Sequence, residues 1–368
     1  MFNRSPGTDS AFASAYDYDL PKELIAQRPA HPRDSSRLLA VRGETIEHLH
    51  FTDFPSRLRA GDLLVLNETR VIPARVHGRR IPSGGEVELL FLRPAAEAHY
   101  DPRSSRWLVL AKPGRRLRAG ERIGLGEFGE AIVVDVRRDG VREIELRLTV
   151  GFEEFLARAG KLPLPPYVTE DSQQAQAGYQ TIFARDPGSV AAPTASLHFT
   201  QEVFDELKRR RVEIAKLSLD VGLGTFRPLQ SERIEEHTMH AEFFSIPQET
   251  ARAVTRAKEE GRRIVAAGTT VVRALESSAC NSGRVRSGSG ETDLFIKPGF
   301  HFQIVDALLT NFHLPRSTLL MLVCAFAGRE RTFRAYREAV ENRYRFFSFG
   351  DAMFIESRGS TTSDAASV

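Results

Sequence analysis

The spacing of hydrophobic residues along the chain changes near residue 76 and again near residue 150. Between these two points lie four short runs rich in branched and aromatic residues, separated by turns that contain glycine: EVELLFL, RWLVLAK, EAIVVDV and VREIELRL. Short strands at such close spacing are typical of an antiparallel barrel or sandwich rather than of βαβ units. We therefore predict an antiparallel β-barrel domain over residues 76–150.

On both sides of this segment, helical and strand patterns alternate. DLLVL at 62–66 has the composition of a buried strand, as do the later runs VEIAKLSL and RRIVAAG. Thr200 is a good N-cap for the amphipathic run TQEVFDELKRRR, and a second helix is predicted from Pro247 to Gly261. This alternation predicts an α/β fold, a layered α/β domain built from residues 16–75 and 151–356, with the barrel domain inserted into it.

The length and composition of the chain are those of a soluble globular protein of about two domains, with 41% hydrophobic and 27% charged residues. No apolar run approaches the roughly 20 residues of a membrane span, and the N-terminus lacks the apolar core of a secretory signal. Residues 1–15 and 357–368 are small and polar, so we predict disordered tails there. Because Cys280 and Cys324 are the only cysteines, a disulfide framework is excluded and a cytoplasmic location is expected.

The basic residues are mostly arginine, since only seven of the 51 are lysine. Arginine suits phosphate and base contacts, but a GC-rich genome would raise its frequency everywhere. Because arginine is spread along the whole chain, we attribute most of it to codon usage. Lys112–Arg118 (KPGRRLR), in a glycine–proline turn, is the better candidate for contact with a phosphate backbone, whereas Lys208–Arg211 is predicted to end a helix.

The stretch LLTNFHLPRSTLLMLV places a polar cluster between two apolar runs. Flanking apolar residues predict burial, and buried polar groups need partners, so the cluster is either a hydrogen-bonded core network or a ligand site. Pro315 is predicted to open a helix that runs to about Ala327. Asn311, His313 and the free N–H groups of Arg316 and Ser317 would then surround a helix N-terminus, which favours an anionic or polar ligand.

The segment DVGLGTFR follows a predicted strand. Gly222 and Gly224 allow close backbone approach by a ligand, and Asp220 at a strand end is a usual holder of a ribose. As a dinucleotide fingerprint the segment is incomplete, because the third glycine is missing and no helix clearly follows. An ordinary turn remains an open interpretation.

The segment HTMHAE contains His237, His240 and Glu242. A zinc hydrolase would need two histidines four residues apart on a long helix, whereas here a strand pattern begins at once, so no metal is expected. Hydrogen bonding to a substrate and a structural role both remain open for these histidines.

In GTTVVRALE, Thr269 and Thr270 are predicted to cap a helix that follows a central strand, where open α/β sheets bind ligands. Arg273 and Glu276 in this helix could simply pair on its surface.

Two further polar segments are candidates for contacts with a partner. NETRVIPAR directly follows a predicted strand and presents Asn67, Arg70 and Arg75. NRYRFFSFGD interleaves Arg343 and Arg345 with aromatic residues, which can stack on bases but more often form a core. From the residues alone, the chain is a two-domain protein with a polar site at strand ends, and its reaction stays open.

Taken in order, these segments resemble one family, the S-adenosylmethionine:tRNA ribosyltransferase-isomerases of queuosine synthesis. The resemblance extends from YDYDLPKELIAQRPAHPRDSSRLL at 16–39 to DAMFI at 351–355, through YQTIFARDPGSVAAPTASLHFT, LDVGLGTFRP, HTMHAE, GTTVVRALES and LLTNFHLPRSTLLMLV. It implies transfer and isomerisation of the ribosyl part of S-adenosylmethionine onto 7-aminomethyl-7-deazaguanine at the tRNA wobble position. The implied products are epoxyqueuosine-tRNA, adenine and methionine.

On this basis we assign expected roles to the candidate residues. The expected acid, base and polar catalytic contacts are His237, His240, Glu242, Asn311 and His313. The expected substrate-binding residues are Asp220, Gly222, Gly224, Thr225, Thr269, Thr270, Arg273, Glu276, Arg316 and Ser317. The expected tRNA-binding residues are Asn67, Arg70, Arg75, Arg115, Arg116 and Arg343. We further expect a monomer with no metal and no membrane contact. The competing hypotheses are an S-adenosylmethionine-dependent tRNA methyltransferase and a non-catalytic RNA-binding protein.

Overall fold

The structure, a computed structural model, describes residues 10–95, 105–137, 140–169, 172–222, 229, 231–239, 241–280 and 283–358, and the side chain of Arg116 lies outside this description. The strands, numbered in chain order, are β1 (Arg37–Arg42), β2 (Thr45–His50), β3 (Leu63–Asn67), β4 (Thr69–Val71), β5 (Arg75–Ile81), β6 (Glu86–Pro94), β7 (Arg106–Lys112), β8 (Arg122–Gly124), β9 (Gly129–Val136), β10 (Arg142–Leu148), β11 (Asp186–Ser189), β12 (Glu213–Leu219), β13 (Glu242–Ile246), β14 (Ile264–Ala267), β15 (Gly288–Thr292), β16 (Ala307–Asn311) and β17 (Ala352–Ile355). The α-helices are α1 (Phe152–Ala159), α2 (Gln173–Gly178), α3 (Gln201–Arg209), α4 (Gln248–Glu259), α5 (Thr269–Ser277), α6 (Thr318–Ala327) and α7 (Arg329–Glu341).

The chain divides into two compact units. One consists of Met1–Thr69, Pro165–Asp186 and Ala192–Val368, and the other of Arg70–Leu164 and Pro187–Ala191. The second unit contains a closed antiparallel barrel with strand order β10-β7-β6-β5-β8-β9. The predicted fold class, an α/β domain with an antiparallel barrel, is therefore confirmed.

The barrel unit extends beyond the predicted 76–150. Helix α1 belongs to it because its aromatic side chains pack on those of the barrel strands: Phe152 stacks on Trp107 with ring centroids 4.0 Å apart, and also contacts Phe91. The four strands predicted for the barrel are present. The polar β5 and the three-residue β8 carry too weak a hydrophobic pattern to be predicted from sequence.

The α/β unit is built on a nine-stranded mixed sheet with order β15-β13-β12-β3-β14-β16-β17-β1-β2. Its four central strands, β12, β3, β14 and β16, run parallel to one another. Parallel neighbours place their carboxyl ends at one edge of the sheet, where α/β proteins bind ligands. Leu219, Asn67, Ala267 and Asn311 are the last residues of these strands and so lie at that edge.

Helices cover both faces of the sheet. On one face, Leu64, Leu66 and Val265 form a core with Val203 and Leu207 of α3. Side chains alternate between the two faces of a strand, so Leu63 and Val65 point to the opposite face. Helices α4 and α5 contact β3, β12 and β14, and their buried residues lie outside the first cluster. The chain thus buries apolar side chains on both sides of its parallel strands, as the nearly continuous apolar runs predict.

The fold includes residues before Tyr16, the predicted start of the α/β domain. Ala13–Tyr16 form a 3-10 turn in which Ala13 and Ala15 are buried. The Ala13 N–H donates to the Glu232 carbonyl at 2.8 Å and the Ser14 N–H to the Glu232 carboxylate at 3.0 Å. The rest of the two predicted tails, at 1–9 and 359–368, lies outside the described residues. No helix in the described part of the chain is both long and apolar enough to cross a membrane.

Candidate active site at the carboxyl ends of the central strands

A pocket of about 470 Å³, including space open to solvent, lies at the carboxyl ends of β14 and β16. Its lining is rich in small and uncharged polar residues: Ala192, Pro193, Thr194, Ala195, Val221, Gly268, Thr269, Thr270, Thr310, Asn311, His313, Leu319, Phe347 and Ser348. Four of the predicted site residues, Thr269, Thr270, Asn311 and His313, are brought together here.

The strand-to-helix turn after β14 forms one wall of the pocket. Gly268 is the N-cap of α5 and has a φ of 104°, which a residue with a side chain adopts only with strain. Thr269 and Thr270 were expected to cap this helix, and that prediction is wrong, because the cap position is one residue earlier and no side chain bonds to it. Both threonines are instead inside the helix start and line the pocket, where backbone N–H groups and the helix dipole favour polar ligands.

The end of β16 forms the facing wall. Asn311 is buried, accepts a hydrogen bond from the Thr194 hydroxyl at 2.9 Å, and its amide nitrogen lies 3.3 Å from Nε2 of His198. His313 is also buried, and its Nε2 lies 2.8 Å from the Thr310 hydroxyl. Burial lowers the pKa of His313 from 6.5 to about 3, so its ring is neutral at neutral pH.

Helix α6 starts later than predicted. Pro315 was expected to be its first residue, but the helix begins at Thr318, with the Ser317 hydroxyl as N-cap accepting from the Leu320 N–H. Arg316 has a φ of 56°, outside the helical region, and its N–H donates to the Tyr16 carbonyl at 2.9 Å. The predicted free N–H of Arg316 is therefore occupied. Its guanidinium pairs with Glu232. Neither Arg316 nor Ser317 lines the pocket.

Asn67 links the ends of two central strands. Its side chain donates to the Leu219 carbonyl at 2.9 Å and accepts from the Leu219 and Thr69 N–H groups, both at 3.1 Å. The residue is fully buried and also lies 3.3 Å from the Thr270 hydroxyl. Asn67 is therefore not available for contact with tRNA, and this expectation is corrected: its polar atoms hold the sheet edge beside the pocket.

The loop after β12 begins next to the same strand end. Asp220 accepts a hydrogen bond from the Thr69 hydroxyl at 2.7 Å, and burial raises the pKa of this carboxyl group. The next residue, Val221, lines the pocket. The Gly222 N–H donates to Glu242 at 3.0 Å. Gly224 and Thr225 lie outside the described residues.

Arg273 and Glu276 do not pair with each other on a helix surface, as their spacing suggested. Both are buried, because α5 packs on the sheet. Arg273 forms an ion pair with Glu242 and donates to the Thr292 and Leu294 carbonyls, while Glu276 accepts from the N–H groups of Gln303, Ile304 and Val305. Neither these two side chains nor Glu242 lines the pocket. They hold the elements around it.

The remaining predicted residues are more dispersed. His237 is partly exposed and its ring lies against Phe295, with centroids 5.5 Å apart, and His240 lies outside the described residues. Arg70 and Arg115 in the barrel unit, and Arg343 in the α/β unit, are exposed. Arg75 is half-buried and donates to the Leu164 carbonyl at 2.9 Å.

Sequence patterns missed several residues of the pocket and its surroundings. Thr194 and Ser348 line it and His198 lies directly behind Asn311. Thr194 and His198 belong to the run VAAPTASLHFT, where a histidine stands among small and apolar residues. Such a histidine is buried and must have a partner, which was the available signal. Among the described residues, no three His, Cys, Asp or Glu side chains are grouped as metal ligands.

Comparison with known proteins agrees with the resemblance. The sequence profile of a family described as "Queuosine biosynthesis protein" matches residues 13–355. The S-adenosylmethionine:tRNA ribosyltransferase-isomerase of Heliobacterium modesticaldum is 51% identical over 92% of this chain and 98% of its own length. The protein of the same name from Symbiobacterium thermophilum is 52% identical over 93% of this chain and 99% of its own.

A solved structure is also similar to this chain. The crystal structure of S-adenosylmethionine tRNA ribosyltransferase from Thermotoga maritima has a TM-score of 0.53 and 39% identity. The match covers 93% of this chain and all of the other. Because both the family profile and relatives of about 50% identity span nearly its whole length, the chain belongs to the queuosine biosynthesis family of S-adenosylmethionine:tRNA ribosyltransferase-isomerases.

Proposed function

We propose that this protein transfers the ribosyl part of S-adenosylmethionine to 7-aminomethyl-7-deazaguanine at the wobble position of a tRNA. The ribosyl group is isomerised in the reaction, which gives epoxyqueuosine-tRNA and releases adenine and methionine. The observation that carries the proposal is the pocket between Gly268–Thr270 and the end of β16, in a chain of this family. We infer that S-adenosylmethionine occupies this pocket.

The charge of the pocket suits a sulfonium ligand. Its described lining contains no Lys, Arg, Asp or Glu, and His313 is neutral because burial lowers its pKa to about 3. A cation is therefore not repelled at close range, where Coulomb energies in a protein interior are large. Threonine hydroxyls and the Asn311 amide supply hydrogen bonds for the ribose and adenine.

The chemistry requires a base beside C5′, a donor to the departing adenine, and an uncharged aminomethyl group. A histidine with a pKa of about 3 is a weak base, so we assign His313 and Asn311 to hydrogen bonding with the substrate. His237 and His240 remain our candidates for acid or base. We assign Glu242, Arg273 and Glu276 to supporting the loops around the site, since their side chains are bound to protein groups.

For the tRNA we propose contacts by the exposed arginines of both units, Arg70, Arg115 and Arg343, together with Arg75 and Arg116. Phosphate contacts by arginine release counterions, which makes affinity depend on salt. Charge reversal at Arg115 and Arg116 should weaken tRNA binding and reduce the slope of log K against log salt by about 2. An unchanged affinity and slope would exclude this part of the barrel as a docking surface.

The function is tested by incubating the protein with S-adenosylmethionine and tRNA that carries 7-aminomethyl-7-deazaguanine. A control reaction uses the same tRNA without the modified base, and mass spectrometry identifies nucleosides and small molecules. We expect adenine, methionine and epoxyqueuosine from the modified tRNA alone. Methylated tRNA with S-adenosylhomocysteine would instead identify a methyltransferase, and binding of tRNA with intact S-adenosylmethionine would identify a non-catalytic RNA-binding protein.

A further inference from the structure

Four side chains form a hydrogen-bonded series from the interior of the α/β unit to the pocket. The Ser36 hydroxyl lies 2.8 Å from Nδ1 of His198, and Nε2 of His198 lies 3.3 Å from the Asn311 amide nitrogen. The Asn311 carbonyl oxygen in turn accepts from the Thr194 hydroxyl at 2.9 Å. Ser36, His198 and Asn311 are buried, whereas Thr194 is half-buried and lines the pocket. The series therefore connects a group hidden from the ligand to one that can touch it.

With the Asn311 amide oriented as in the structure, the direction of each hydrogen bond follows from the chemistry of the groups. The Asn311 amide nitrogen can only donate, so Nε2 of His198 must accept. The ring proton of a neutral histidine is then on Nδ1, which donates to the Ser36 hydroxyl. Because the Asn311 carbonyl oxygen can only accept, the Thr194 hydroxyl must donate to it. Thr194 thus has its proton engaged and its oxygen lone pairs left for a donor in the pocket.

The environment of His198 keeps it in the neutral form that this arrangement requires. The ring is buried and stacked on Phe51, with centroids 5.0 Å apart. Burial, together with the charges of Arg345 and Arg33, lowers its pKa to about 4 and outweighs the opposite effect of Asp351. A protonated His198 would donate from both nitrogens and could not accept from Asn311.

We propose that His198 is a positioning residue: it fixes the orientation of the Asn311 amide, so that Thr194 presents a hydrogen-bond acceptor to an N–H or O–H group of bound S-adenosylmethionine. The identity of this ligand rests on the proposed function. The reverse amide orientation would turn a donor toward Thr194 and require a proton on Nε2 of His198. In that state the Ser36 hydroxyl would donate to Nδ1 instead of accepting from it.

Asparagine and glutamine each replace one of the two ring nitrogens of His198. Comparing them separates positioning of the Asn311 amide from simple filling of space. In His198→Asn the side-chain amide replaces Nδ1 and can reach Ser36, but not Asn311. In His198→Gln the amide reaches the position of Nε2 and its oxygen can accept from Asn311. Thr194→Val and Thr194→Ser likewise remove or keep the hydroxyl. His301→Asn, at an exposed histidine outside the pocket lining, is the control.

Calorimetry with S-adenosylmethionine and steady-state turnover on modified tRNA are the two readouts. Removal of one buried hydrogen bond predicts that H198N and T194V each raise the Kd for S-adenosylmethionine by about ten- to a hundredfold. H198Q and T194S should recover most of this loss. Since both changes act through one contact, the H198N/T194V double variant should bind little worse than either single variant.

The proposal is overturned if H198N binds S-adenosylmethionine as the wild type does, if H198Q loses as much as H198N, or if the double variant shows additive losses. Should H198N not fold, Ser36→Ala takes its place, with an expected rise in Kd of about fivefold; wild-type binding by both S36A and T194V would then reject the idea. Wild-type protein that binds S-adenosylmethionine but yields no epoxyqueuosine would reject the proposed function alone, because the Kd comparison stays valid. Wild-type protein that does not bind it would reject both.

Discussion

Charged residues on the barrel strands and charged residues at the strand ends of the α/β unit differ in burial and in how they are paired. On the barrel, charged side chains alternate with apolar ones and pair across neighbouring strands at the surface, as in Arg122–Glu130 and Arg106–Glu143. In the α/β unit, polar side chains at strand ends are buried and bound to other protein groups, as is Glu242, which pairs with Arg273 of α5. A surface pair in water contributes little to stability, whereas a buried polar group that loses its partner is costly. Polarity alone therefore does not identify a functional residue; its burial and partners do.

The largest loss of stability is expected when the buried ion pair between Arg273 and Glu242 is broken. Arg273→Met removes the cation that faces the buried Glu242 carboxylate, and we expect the free energy of unfolding to fall by about 3–5 kcal/mol. Urea denaturation measures it. The matched control is the double variant R273M/E242Q, which carries no unpaired buried charge and should be more stable than R273M. If R273M lies within about 1 kcal/mol of the wild type, the pair is not the support that we infer.

The pH dependence of stability should follow the buried histidines of the α/β unit. Burial lowers the folded-state pKa of His198 to about 4 and that of His313 to about 3, from 6.5. The unfolded chain therefore binds more protons below pH 6.5, and stability that is present above pH 6.5 is lost as the pH falls toward 4 and 3. The loss should reach about 1.4 kcal/mol per pH unit for each histidine.

Denaturation curves between pH 7 and pH 5 test this expectation. His313→Gln should reduce the slope of stability against pH, because the variant lacks this buried histidine. Equal slopes for the wild type and H313Q would show that His313 does not remain neutral on folding.

Loss of the Asn67 side chain, which links the ends of β3 and β12, is expected to have an intermediate effect on stability. Asn67→Ala leaves the Leu219 and Thr69 backbone groups without their side-chain partner, which costs about 1–3 kcal/mol. Because Asn67 also contacts Thr270 in the pocket wall, the affinity for S-adenosylmethionine should fall as well. Ser289→Ala, on an exposed edge strand, is the control and should change stability by less than about 0.5 kcal/mol. If N67A has the stability and ligand affinity of the wild type, Asn67 does not hold the strand ends in place.

The smallest effect is expected at the barrel surface. Arg122→Gln breaks a half-exposed pair with Glu130 and should lower the free energy of unfolding by less than about 1 kcal/mol, less still at high salt. Thermal unfolding at two salt concentrations measures this. A loss above about 2 kcal/mol would place this pair among the costly ones and weaken the contrast between the two units.

Much of the fold could be predicted because local patterns act over a few residues. Alternating apolar positions predicted β6, β7, β9 and β10, and Thr200 was recognised as the N-cap of α3, where its hydroxyl accepts from Val203. Local rules failed where a distant contact competed. The proline rule placed the start of α6 at Pro315, but the Arg316 N–H bonds to Tyr16, about 300 residues earlier in the chain, and the helix begins at Thr318.

The candidate site was predicted less completely, for a related reason. The sequence predicted Thr269 and Thr270 after a central strand and Asn311 and His313 beside a helix N-terminus, and the structure gathers these four residues in one pocket. Arg273 and Glu276 were expected to bind substrate, with pairing on the helix surface as the alternative, yet each is bound by a residue outside its helix. A spacing rule cannot include partners that are contributed by a distant part of the chain.

The sequence by itself determined the α/β-plus-barrel class and the family, and it predicted a candidate polar site at strand ends, because these depend on hydrophobic period and on ordered motifs. Only the tertiary structure decided which polar groups face the pocket and which bind one another. His198 and Asn311 are 113 residues apart in the chain, and their contact exists only because the folded α/β unit brings them together. A hydrogen bond requires atoms about 3 Å apart in a defined direction, and neither quantity is written in the local pattern of either segment.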